Sequence, residues 1–446
     1  MRSRTMLVLL ALLLPAAVAA PGVQAAPADP PGRALGRGGA ERHDAAVPVA
    51  WFDLLYGLVR AERLSPPVAS RRIGYAGVAL YESIAPGVPG GRSLAGQLNG
   101  LEDLPGVEPH AKYHWPAVAG AALAEVVRGL FAGASAESLA AIDLLEQDIA
   151  AALRNRAPAP VLARSEARGR AVAAAILAWA ATDGLAQHND CPYLPPAGEG
   201  LWEPTPPAFA APLQPCWGRL RPFVLVSGAE CDPGSHPEFS TDPASAFHAE
   251  AREVYDTTST LTPGQLAIAL FWADNPGQTG TPPGHWIALV GQVARASDLS
   301  LDVAAEAYAR TGLAVADGFI SCWDAKYRYN LLRPITYIRT VIDAAWTPPI
   351  ATPPFPEYTS GHSVQSGAAA TVLGDLLGPL PFTDDTHASL GLPARSFGSF
   401  EEAAAEAAVS RLYGGIHYRA AIDNGLDQGR CIGETILREV RFRDDD

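Results

Sequence analysis

Lysine is almost missing from this 446-residue chain: only Lys112 and Lys326 stand among its 33 basic residues. Acidic residues number 47, and the resulting formal net charge of -14 excludes a general role in gripping nucleic acid or anionic membrane surfaces. No stretch beyond the N-terminal segment is long and apolar enough to span a bilayer. The five cysteines form no Cys-x-x-Cys pair, which disfavours zinc-ribbon and thioredoxin-type chemistry. Strand-like alternation is scarce, and no short fixed repeat is evident. Gly277 to Gly284 is glycine-rich but lacks the Gly-Lys-Ser/Thr of a phosphate loop.

What is present begins with an export signature. Arg2 and Arg4 precede an apolar run from Met6 to Leu14, followed by small residues that suit cleavage after Ala19 or Ala25. Residues 1–25 are expected to be a signal peptide, which makes the protein secreted or periplasmic, and 26–46 a disordered lead-in. The division expected for the rest is an N-terminal helical region over 47–260 and a C-terminal helical bundle over 261–446. Apolar residues recur at helical spacing from Val49, then over 115–132, 135–153 and 161–182. Residues 187–245 break the pattern, being rich in Pro, Gly, Trp and Cys. A long ordered loop packed across the helices is predicted there. Helical spacing resumes over 262–273, 283–297, 302–332, 361–377, 400–413 and 417–440. The fold class is therefore mainly α, built as helical bundles with long ordered loops. Cys191, Cys216 and Cys231 in the loop region are candidates for one disulfide. Cys322 and Cys431 lie in helical, apolar contexts and are expected to be buried small hydrophobes.

Three stretches of the C-terminal half carry chemistry. Lys326 and Arg333 are seven residues apart, which places them on nearly one helix face, and Pro334 should end that helix. Thr359-Ser360-Gly361-His362 opens a helical run, where free amides and the helix dipole favour an anion. Ser360 suits an N-cap, Gly361 permits close backbone approach, and His362 is placed for acid–base work. Arg411 and His417 are six apart with Gly414-Gly415 between them, a break that lets both converge. Three cations, a hydroxyl, a helix-start amide and two histidines suit a tetrahedral oxyanion. Three features outside this set are weaker. His110 and His114, at i and i+4, would suit a metal on a helix face but lack a third ligand. His285 fits a pocket mouth or a structural role about equally. Asp384-Asp385 reads as a solvated loop pair.

The order Lys-x6-Arg-Pro, Ser-Gly-His, Ser-Arg-x5-His resembles the vanadium-dependent haloperoxidase and type 2 phosphatidic acid phosphatase superfamily. Phe271-Trp-Ala-Asp274 and Gly280-Thr-Pro-Pro283 extend the resemblance towards the vanadium chloroperoxidases, over roughly 265–435. The resemblance implies a fold of two four-helix bundles and a vanadate cofactor, with phosphate able to occupy the same site. It further implies that Lys326, Arg333 and Arg411 bind the equatorial oxygens, that Ser360 and the Gly361 amide add hydrogen bonds, and that His417 ligates vanadium. His362 would be the acid–base group, Asp274 would orient Arg411, and Trp323 and Phe355 match positions near a halide site. Two residues depart from the pattern. Thr359 stands where Pro usually precedes Ser-Gly-His, and Glu357 brings a carboxylate expected to discourage halide binding.

The same residues suit two chemistries. In one, hydrogen peroxide and a halide react at His-bound vanadate, with a small organic molecule as final acceptor. In the other, a soluble acid phosphatase cleaves a phosphate ester through a phosphohistidine at His417. Trp323, Phe355 and Asp274 favour the peroxidase. A non-catalytic oxyanion binder is the third alternative, disfavoured because a mere binder does not need His362 beside the anion.

Overall fold

The computed structural model describes residues 39–444. The expected signal peptide, and the lead-in up to residue 38, lie outside them. From Ala40 the lead-in departs from expectation: a 3-10 turn, Ala40–Arg42, is followed by a bridge between Asp44 and Ser300.

Helices dominate. The N-terminal half holds α1 (Ala46–Ala61), α2 (Pro66–Ile84), α3 (Trp115–Leu130), α4 (Ala136–Leu153), α5 (Ala159–Ala180) and the short α6 (Leu185–His188). After the loop come α7 (Ala246–Ser259), α8 (Pro263–Phe271), α9 (Thr281–Ala296), α10 (Leu301–Tyr329) and α11 (Pro334–Val341). The chain closes with α12 (Gly361–Leu377), α13 (Phe400–Tyr413) and α14 (Arg419–Glu439). A small antiparallel hairpin, β1 (Phe382–Asp384) with β2 (Arg395–Phe397), pairs Phe382 with Phe397.

Local chemistry explains the helix ends. Side-chain oxygens of Ser135, Ser245, Thr262, Ser360 and Ser399 cap α4, α7, α8, α12 and α13, each worth roughly 1 kcal/mol. Pro occupies the first turn of α2, α8, α9 and α11, where its missing N–H costs nothing. α10 stops at Asn330, which adopts the left-handed conformation at φ 50°. Lys326 and Arg333 therefore do not share one helix, contrary to the expectation from spacing. Lys326 sits in the last turn of α10, and Arg333 is the N-cap of α11.

α10 packs on both α2 and α12, so one apolar core runs from α1 to α14. Glycines allow the closest approaches. A Cβ at Gly77 of α2 would stand 2.7 Å from the Tyr308 carbonyl of α10. A second core gathers Phe247, Leu332, Tyr337, Trp346, Tyr418 and Ile422 around α7 and α11.

Residues 187–245 form a long ordered loop laid across the helices, as predicted. Asp317 of α10 accepts the amides of Phe223, Val224 and Leu225 at 2.7–3.0 Å, and Leu332 N–H donates to the Gly200 carbonyl. Two disulfides tie this loop, not one. Cys191 bonds Cys216, and Cys231 bonds Cys431 of α14 across 200 residues of sequence. Cys431 is thus no buried small hydrophobe. Its helical, apolar context hid a partner distant in sequence, whereas Cys322 is free and buried as expected. Among the described residues no helix is long and apolar enough to cross a membrane.

Candidate active site

Lys326, Arg333, Ser360, Arg411 and His417 converge, all buried to 2% exposure or less. The last turn of α10 delivers Lys326 against the segment 356–359, which leads into α12. Its ammonium donates to the carbonyls of Pro356 (3.1 Å), Glu357 (2.9 Å) and Thr359. Arg333 enters from the α10–α11 turn. Its Nε donates to Phe355 O at 2.8 Å, and its Nη1 lies 2.9 Å from Ile416 O and 3.2 Å from His417 Nε2. Arg411, in the last turn of α13, donates from Nη2 to Trp272 O at 2.6 Å and from Nε to Ser410 Oγ at 3.0 Å. Gly415, at φ 72°, makes the turn that brings His417 back towards Arg411. His417 lies two residues before α14, not inside it.

Hydrogen-bond chemistry fixes the form of His417. A guanidinium can only donate, so Nε2 facing Arg333 carries a lone pair. The proton is on Nδ1, which donates to Glu357 Oε1 at 2.8 Å, and the Tyr418 amide donates to the same oxygen at 2.9 Å. Burial, then Arg333, Lys326 and Arg411, hold the imidazole pKa far below its ordinary value, so the ring is neutral. Burial pushes the Glu357 carboxyl up to about 8, against the pull of Arg333 and Lys326. Burial likewise lowers Lys326 to about 7. Glu357 was noted in the sequence only as a departure near the site. Its bond to His417 crosses 60 positions and could not be read from spacing.

Ser360 and Gly361 stand at the start of α12. Ser360 Oγ accepts the Ser363 amide at 3.3 Å, which leaves its own O–H to donate, and the Gly361 amide is one of the unpaired donors of a helix start. Thr359, the other departure, donates to Gln428 Oε1 at 2.6 Å. His362 is half-buried on the next position. Its ring lies against the Trp272 carbonyl, which favours a proton on that side, and Nε2 is buried without a partner. Burial and Arg411 hold it neutral as well. Phe355 lies beside both cations, 5.1 Å from Lys326 Nζ and 4.9 Å from Arg333 Cζ, and Trp323 packs 4.9 Å from it. The Trp323 indole donates to Leu213 O of the long loop.

Two expectations, for Asp274 and Asp384, fail here, and two open readings, for His285 and for His110 with His114, are resolved. Asp274 does not hydrogen-bond Arg411. Its Oδ2 lies 2.9 Å from His285 Nδ1, and its effect on Arg411 is through space. His285 lines no pocket mouth: it is fully buried between Asp274 and Asp384. Asp384, expected in solvent, is buried on β1, because the hairpin packs on α9 and His285 of that helix supplies the counter-charge. His110 and His114 share no helix face. His110 sits in a turn at φ 62°, and His114 caps α3 and packs on His43.

The donor set fits a bound oxyanion. Arg333 Nη2 is a buried donor without a partner and His362 Nε2 a buried lone pair without one, and a buried polar group left so costs about 1–3 kcal/mol. Three cations face one carboxylate already engaged by His417, and an anion would offset that excess. Lys326 alone is saturated by carbonyls.

Comparison with known proteins agrees. Residues 306–443 match the family model of the second helical-bundle domain of vanadium chloroperoxidase. A structure described as the first bacterial vanadium-dependent iodoperoxidase is similar over 90% of this chain and 97% of its own, with 40% identity and a TM-score of 0.83. The holo and apo forms of a bacterial vanadium-dependent chloroperoxidase share the fold at 15% identity, with TM-scores of 0.62 and 0.64. Each match covers 85% of this chain and 94% of the other. No curated protein matches the chain. At 40% identity over nearly the full length of the iodoperoxidase, the chain belongs to the vanadium-dependent haloperoxidase family.

Proposed function

We propose that the protein oxidises halide with hydrogen peroxide at a vanadate held by His417, passing the oxidised halogen to a small organic acceptor. One observation carries this: a neutral His417, its Nε2 lone pair turned towards Arg333 among three cations, beside an unpartnered Arg333 donor and the unpartnered Nε2 of His362. Bound vanadate supplies a Lewis-acidic V(V) centre that activates peroxide without changing its own oxidation state.

The chain's residues have separable tasks. Arg333 and Arg411 offset the charge of the oxyanion, and Lys326 joins them by releasing one carbonyl. Ser360 O–H and the Gly361 amide donate to it. His417 Nε2 is the metal ligand, and Glu357 fixes its ring and proton. His362 Nε2 takes the proton of an incoming peroxide and returns it to the product oxygen. Asp274 adds negative charge near Arg411 and His362. Trp323 and Phe355 form the apolar wall on which a weakly hydrated halide rests. Iodide is the first halide to test, because the 40%-identical structure is called an iodoperoxidase. Export to the periplasm or beyond is supported by the two disulfides, which need an oxidising compartment.

The test is peroxide-dependent oxidation of iodide, bromide and chloride, read with a phenolic dye, with and without added vanadate. Phosphate-ester hydrolysis is measured on the same preparation. Vanadate-dependent halide oxidation is expected. Hydrolysis that vanadate inhibits, with no halide oxidation, would instead favour the acid phosphatase.

A further inference from the structure

Behind the site lies a buried charge cluster of which the proposed chemistry uses only Asp274. His285 of α9 has Nδ1 2.9 Å from Asp274 Oδ2 and Nε2 2.7 Å from Asp384 Oδ2, with all three side chains fully buried. Carboxylate oxygens accept, so both ring nitrogens donate and the ring carries two protons. Burial alone would lower its pKa, but Asp274 and Asp384 outweigh burial and raise it to about 10. The Trp272 indole lies flat on this ring, 4.4 Å between centroids and 18° between planes. The far edge of the indole donates from Nε1 to Glu406 at 2.9 Å. Trp272 is thus fixed on its face and its edge, and Asp274 two residues on is fixed by the same imidazole. The backbone between them has little freedom, and it carries the Trp272 carbonyl. That carbonyl accepts Arg411 Nη2 at 2.6 Å, and the His362 ring lies against it with its proton favoured on that side. Holding the His362 proton on the carbonyl side keeps its Nε2 lone pair turned away from Trp272.

We propose that His285 is a positioning residue: clamped between Asp274 and Asp384 beneath Trp272, it holds the carbonyl that orients both Arg411 and His362. This rests on the haloperoxidase function proposed above. His387 completes the surroundings, its Nε2 lying 3.2 Å from Asp274 Oδ1 without hydrogen-bond alignment. Asp274, His285 and His387 are close enough to hold a metal ion, their ligand atoms lying within 4.8 Å of one another. Both nitrogens of His285 are already engaged, so a proton and not a metal is assigned.

The test uses the full chain stripped of vanadate, as wild type, His285→Gln and Asp384→Asn. Vanadate affinity, halide-oxidation kcat and KM, zinc content and the ring N–H signals of 15N-histidine-labelled protein are measured. The wild type should show both His285 ring protons up to pH 9 and contain no zinc. Folded His285→Gln should lose about tenfold or more in vanadate affinity, the usual effect of removing such a support, and the His362 ring proton should broaden or shift. Asp384→Asn, which keeps an acceptor for Nε2, guards against failure of the first variant to fold and should lose a few-fold. Folded variants that bind vanadate as the wild type does, with an unmoved His362 signal, would overturn the positioning role alone. Zinc bound at one per chain and lost in His285→Gln would overturn it in favour of a metal. A wild type that takes up no vanadate would defeat the proposed function instead, and the His285 ring protons would still report the clamp.

Discussion

Two buried histidine–carboxylate pairs, one in the site and one beneath Trp272, are in opposite states. His417 and Glu357 sit among Lys326, Arg333 and Arg411, and the histidine is held neutral. His285 sits between Asp274 and Asp384 and is held doubly protonated. Burial is the same in both and would discharge either ring. The partners decide: cations leave a lone pair bare, carboxylates fill both nitrogens with protons. The first pair belongs to a cradle with surplus positive charge and an unpartnered Arg333 donor, the second to a cluster in which His285 and, through space, Arg411 offset two carboxylates. Surplus charge is what a ligand site needs, and balanced charge is what a support needs.

The contrast breaks most visibly at Arg333. Arg333→Ala removes a fixed donor and frees His417 Nε2, so halide oxidation should fall about 10²–10³-fold, read as kcat at saturating peroxide. Vanadate should act on the cradle alone. At about a hundred times its dissociation constant it should stabilise the fold by about 2.7 kcal/mol, read as a rise in Tm. Glu357→Gln keeps the shape and an acceptor but removes the carboxylate charge behind His417, which develops as pH rises through about 8, so the comparison is made at pH 9. Vanadate affinity should drop about 10–100-fold with the fold retained, measured by titration of the vanadate-free protein.

The cluster should show itself in pH dependence. The unfolded chain releases the His285 proton near pH 6.5, while the folded chain keeps it to about pH 10. Its stabilisation is complete below about 6.5 and is lost as pH rises through that window, at up to about 1.4 kcal/mol per pH unit. Lys326 and Glu357 titrate in overlapping ranges, so the quantity to measure is the difference in urea-unfolding free energy between wild type and His285→Gln. That difference should shrink from pH 7 to pH 10.

Much of this was legible in the sequence. Periodicity located most helices to within a few residues, because long amphipathic stretches fix their own period. The three motifs, each local, named every member of the cradle except Glu357. What escaped depends on contacts across long separations. Asp384 looked like a loop acid because nothing nearby announces the hairpin that buries it or the imidazole, 99 positions away, that neutralises it. Cys431 looked like core because its disulfide partner lies 200 residues upstream. The left-handed Asn330 broke the helix that spacing had drawn through Lys326 and Arg333, yet Arg333 still reaches the site from the turn.

His417 carries the central claim, and equilibrium binding of vanadate to wild type and His417→Ala tests it most directly. One vanadate per chain in the wild type, lost in a folded His417→Ala together with halide oxidation, is the predicted result. Equal uptake by both proteins would contradict it.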